Sequence, residues 1–98
     1  MRLIGNYSPS TTEDLIKLKK ELGFAGEKMA DLAGVSGNNQ WRKYTGGKMP
    51  RVISPHILFY IATQLTLSED DLNRILAKMR EMGANVKINR VSPFNDFL

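Results

Sequence analysis

Apolar positions recur at helical spacing along most of this chain, and the pattern predicts five short helices. Leu15, Ile16, Leu18 and Leu22 mark a first helix over roughly 11 to 22. Ser10-Thr11-Thr12-Glu13 opens it in capping-box form, with the Ser hydroxyl and the Glu carboxylate each satisfying a backbone amide, and Gly23 closes it. Met29, Ala30, Leu32 and Ala33 supply the inner face of a second helix. Ala25 stands where that helix wants a Ser or Thr cap, a loss of about 1 kcal/mol, which Glu27 in the first turn offsets in part through the helix dipole.

Gly34-Val35-Ser36 turns the corner into a third helix, expected over 36–45, with Ser36 as its cap and Gly46-Gly47 at its end. Ala30 is small enough for a close approach of the two helices, Gly34 can take positive φ, and Val35 plugs the angle between them. This is a helix-turn-helix pattern. If Trp41 faces the core, a turn of about 100° per residue puts Tyr44, Thr45 and Gly37 on the same side. Asn39, Arg42 and Lys43 then point outward, with Gln40 at the edge. Trp41 and Gln40 compete for the apolar slot, and Trp41 is preferred because a buried amide without partners is costly. Asn38 and Asn39 after Gly37 also suit a loop, in which case the helix starts near Asn39.

Ser54-Pro55 starts a fourth helix running to about Leu65. Its Ile57, Leu58, Tyr60, Ile61 and Leu65 predict the most buried element of the fold, with His56 a surface or capping residue. Ser68-Glu69-Asp70-Asp71 caps a fifth helix whose stripe of Leu72, Ile75, Leu76, Met79 and Met82 reads as core or as a contact between subunits. After Gly83 the period changes to two over Val86 to Val91, predicting a short strand before Pro93 and an apolar tail of Phe94, Phe97 and Leu98. A lone strand needs a partner, either Leu3-Ile4 or its copy in a second subunit. The division expected is an arm over 1–10, a domain over 11–83 and a tail over 84–98. The arm reads as a frayed terminus, a minor-groove arm using Arg2, or a short strand through Leu3 and Ile4.

The segment EKMADLAGVS resembles the Cro/repressor (lambda-repressor-like) class of helix-turn-helix regulators, with its acidic start, an Ala, a Leu and then Gly-Val-Ser. The following QWRKY and GKMP are similar to a phage-type variant of that class. The resemblance spans roughly residues 15 to 67, and Ala30, Gly34, Val35 and Ser36 are its specific part. It implies a five-helix all-α lambda-repressor-like fold, binding to double-stranded DNA, repression at a promoter and a phage or mobile-element origin. Gly26 stands where the family commonly has a phosphate-binding Gln, and the distance from Val35 to Trp41 is one residue longer than usual.

Composition sharpens this picture. The chain has 98 residues, enough for one modest core, with 42% hydrophobic and 24% charged residues and a net charge of +4. All acidic residues lie within Glu13 to Asp31 or from Glu69 onward, so the middle of the chain is basic, carrying Arg42, Lys43, Lys48, Arg51 and His56. Duplex DNA is the partner such a surface suits, because each neutralised phosphate releases counterions. Asn38, Asn39 and Gln40 can pair with adenine, and Arg42 and Lys43 suit guanine or the sugar-phosphate chain. Ser36 completes this set, and Lys48 and Arg51, in or beside a glycine loop, are assigned to phosphates. Lys17, Lys19 and Lys20 read as solubility charges first and phosphate contacts second. No Walker loop is present, there is no Cys, and one His without a nucleophile or carboxylate at motif spacing argues against an enzyme, a metal site or a cofactor. Neither end carries a secretory or membrane-spanning run, so a cytoplasmic location is expected. A homodimer reading half-sites about one turn apart is the expected assembly. The rival functions are an antitoxin on the same fold and a protein-interaction adaptor.

Overall fold

Helix caps and apolar spacing together set the element boundaries in the computed structural model, which describes residues 2–87. The described residues are all-helical, with α1 Thr12–Leu22, α2 Gly26–Ala33, α3 Asn38–Thr45, α4 Pro55–Thr66 and α5 Glu69–Glu81, and no strand among them. The chain divides into two units, Met1–Ile61 and Ala62–Leu98, the boundary falling inside α4.

In the first unit, α1 is capped one residue later than the sequence pattern suggested. Thr11, not Ser10, accepts the Asp14 amide at 3.1 Å, and Asp14, not Glu13, accepts the Thr11 amide at 2.9 Å. Two overlapping boxes compete in Ser-Thr-Thr-Glu-Asp, and this register puts Leu15 on the buried side, at 2% exposure, while Ile16 stays half out at 47%. Hydrogen bonding to the Asp14 carboxyl, from the Thr11 backbone amide first and its side chain second, holds that group below its ordinary range, with the Lys17 charge adding to the effect. α3 packs against both α1 and α2, and the Thr12 hydroxyl reaches the Tyr44 carbonyl at 3.4 Å. Every fully buried apolar residue among the described residues belongs to this unit: Leu15, Met29, Ala30, Leu32, Ala33, Trp41, Tyr44, Ile53 and Ile61.

Burial corrects the reading of α4. The Ser54 hydroxyl accepts the Ile57 amide at 3.2 Å, as the Ser-Pro start predicts, but Ile61 is its only fully buried residue. Phe59 and Tyr60 are each 50% exposed. Near-uniform apolarity signals burial without saying which face is covered, and here α2, with four buried residues, is deeper.

The segment ahead of α1 forms no strand, and Leu3 is 84% exposed. It is tied down all the same, because the Tyr7 hydroxyl donates to the Ile53 carbonyl at 2.7 Å. Burial raises the Tyr7 pKa above the ordinary 10.0. A raised folded-state value means the tether contributes fully below about pH 10 and is lost as pH climbs through the folded-state value. Tyr7→Phe is expected to cost about 1 kcal/mol and to speed amide exchange over residues 2–8 at neutral pH. Unchanged exchange there would show that the bond does not hold the arm.

In the second unit, Ser68 caps α5 by accepting the Asp71 amide at 3.1 Å. Glu69, Asp70 and Asp71 lie at its positive end, and Lys78 and Arg80 at its negative end. Exposed pairs Asp71–Arg74 and Lys78–Glu81 follow its surface at 3.3 and 3.4 Å. The expected core stripe of α5 is not buried: Ile75, Met79 and Met82 are 41%, 39% and 78% exposed. Among the described residues this unit offers only the last turns of α4 as a second layer, too little surface to cover a helix. Beyond Val86 and Lys87, which are irregular, the predicted strand and the Phe94, Phe97 and Leu98 tail lie outside the described residues.

Candidate nucleic-acid interface

The corner between α2 and α3 is built as its residue types demand. Gly34 takes φ +72°, and its amide and that of Val35 close the last turn of α2 on Asp31 and Ala30, at 3.1 and 3.0 Å. A side chain at Gly34 would be strained by that φ and would also meet the Tyr60 ring at 3.0 Å. α3 begins at Asn38, between the two starts open to the sequence. The Gln40 and Trp41 amides bond the Gly37 carbonyl at 2.9 and 3.1 Å.

Ser36 is not the cap. It is exposed, and Gly37 occupies the cap position without a side chain to offer. The missing acceptor comes from α2 instead, as Glu27 Oε1 takes the Asn38 amide at 3.3 Å. Sequence reasoning assigned Glu27 to its own helix and missed this role.

The two faces of α3 separate as the helical angle requires. Trp41 and Tyr44 are 1% and 5% exposed, with ring centroids 6.3 Å apart at a 54° tilt, so Trp41 rather than Gln40 fills the apolar slot. Asn39, Arg42 and Lys43 are exposed, and Gln40 is half-buried at the edge. Asn38, a candidate for adenine pairing in the sequence, does not share that exposure. It is half-buried, and its carboxamide covers the backbone of Gly26, where a methyl group would overlap it. The small residue at Gly26 therefore makes room for Asn38. Gly26→Ala is expected to rotate Asn38 away while changing stability by no more than about 1 kcal/mol, because the clash falls on the end of a side chain. Side-chain amide shifts of Asn38 check this, and unchanged shifts would contradict it.

After α3 the chain reverses through Gly46 and Gly47, the latter at φ +85°. The Arg51 amide then donates to the Lys43 carbonyl at 2.6 Å, which sets the backbone of Arg51 beside the end of α3. Lys48 and Arg51 are exposed, as are Arg42 and Lys43. An open groove of about 270 Å³ runs along the flank of α3, lined by Lys19, Gly26, Asn38, Trp41, Arg42 and Thr45. For Lys19 the sequence favours a solubility charge over a phosphate contact. The packing of α1 on α3 brings it into the groove, and a helical wheel of α1 alone carries no signal of that. The Trp41 indole Nε1 is buried without a hydrogen-bond partner among the described residues.

Comparison with protein-family models, curated proteins and solved structures gives no match to this chain. What the surface can do therefore rests on its side chains. Guanidinium and ammonium groups donate to phosphate or to guanine, and carboxamides both donate and accept, as an adenine edge requires. Among the described residues no group of three or more His, Asp or Glu is placed to hold a metal ion, and no helix is long and apolar enough to cross a membrane.

Proposed function

We propose that this protein is a sequence-specific double-stranded DNA-binding regulator that lays α3 in the major groove. The observation that carries the reading is the outer face of α3. Asn39, Arg42 and Lys43 stand exposed on a helix whose opposite side, Trp41 and Tyr44, is buried. Lys48 and Arg51 follow in a chain stretch free of acidic residues, which suits phosphate contacts flanking the groove. The resemblance of EKMADLAGVS to Cro/repressor regulators supports transcriptional repression by a phage or mobile-element protein, acting as a homodimer. Selection of bound duplexes from a random pool tests it. A palindromic consensus is expected, with half-sites about one helical turn apart, and failure to enrich any sequence at moderate salt would overturn the reading.

A further inference from the structure

The cation-rich surface around α3 contains one group of the wrong sign for a phosphate-binding face. The Glu27 carboxylate, exposed on α2, accepts the Asn38 amide at 3.3 Å. A Cβ placed on Gly37 would come within 3.9 Å of its other oxygen, so both oxygens lie near the start of α3. A helix start attracts anions through its unpaired amides and partial positive charge, and one left open beside a DNA backbone would hold a phosphate of any sequence. Gly37 brings no side chain to close it, and Ser36 does not reach it. From the proposed reading of α3 as the base-contacting helix, we infer that Glu27 is a specificity-determining positioning residue. It caps α3 from the neighbouring helix and keeps phosphates off its first amides, so that tight binding requires the outward side chains to find their base edges.

Charge and capping can be separated by substitution in the full chain. Glu27→Gln keeps an acceptor oxygen and removes the charge, while Glu27→Ala removes both. Binding is measured to the duplex recovered by selection and to a scrambled duplex of the same length, with Tm recorded for each variant. Glu27→Gln is expected to tighten binding to the scrambled duplex about three- to tenfold while binding to the selected one stays near wild type, so discrimination falls by about the same factor. Glu27→Ala is expected to weaken binding to the selected duplex without weakening binding to the scrambled one. A purely structural cap would lower Tm in Glu27→Ala and leave the discrimination of Glu27→Gln within twofold of wild type, which overturns the inference. Should Glu27→Ala fail to fold, Glu27→Gln decides alone. A wild-type protein that selects no duplex overturns the DNA reading and this inference together, whereas discrimination that survives in Glu27→Gln overturns the role of Glu27 only.

Discussion

Arg42→Ala or Lys43→Ala is expected to weaken binding to the selected duplex by about 1–3 kcal/mol, roughly five- to 150-fold. Both side chains are exposed on the side of α3 opposite Trp41, and neither contributes to the buried core, so the loss should come without a fall in stability. The two changes should differ in kind. A residue pairing with a base edge loses discrimination at one position of the site, while one on a phosphate loses affinity evenly and flattens the salt dependence by about one unit. Lys17→Ala is the control, because Lys17 is 77% exposed on α1 and pairs with Glu21 at 3.8 Å. Lys19→Ala, by contrast, should show a loss, since Lys19 shares the groove with Arg42. Equal losses from Lys17, Arg42 and Lys43 in filter-binding or anisotropy titrations would place the interface elsewhere.

Trp41→Ala is expected to cost about 3–5 kcal/mol, a large part of the 5–15 kcal/mol that holds a typical domain together. Trp41 is 1% exposed and central to the face on which α3 rests. Its removal should lower the urea midpoint steeply or leave the chain unfolded, as followed by circular dichroism because the only Trp is then gone. Trp41→Phe should lose clearly less: it keeps an aromatic ring against Tyr44 and deletes an indole N–H that has no partner among the described residues. Near-wild-type midpoints for both variants would show that α3 is not anchored by this side chain, and the assignment of its outward face would fail with it.

The features legible in the sequence are those decided within a few residues of themselves. Gly34 and Val35 announce the corner, Trp41 and Tyr44 announce the inner face of α3, and Ser68 and Ser54 announce helix starts, because each acts through local backbone geometry or helical angle. Overlapping local signals gave the near misses. Ser10 and Thr11 both precede an acid at the right spacing, and Ser36 and Gly37 both precede α3, so choosing between them needs the packing of the next apolar residue. Roles that depend on a neighbouring helix were not legible. Glu27 capping α3, Asn38 folded over Gly26 and Lys19 in the groove all arise from the placement of α1 and α2 against α3. The depth of α4 was overestimated for a related reason, since composition reports how apolar a helix is and not how many of its sides find a neighbour.

The hydrogen bond from the Arg51 amide to the Lys43 carbonyl has a thermodynamic consequence. Glycine-containing loops usually surrender backbone freedom when they engage a ligand, and that entropy is subtracted from affinity. Here both ends of the return from Gly46 to Arg51 are already held to α3, by the Gly46 amide on the Arg42 carbonyl and the Arg51 amide on the Lys43 carbonyl, so under the proposed DNA-binding reading part of that freedom is lost before a polyanion reaches Lys48 and Arg51.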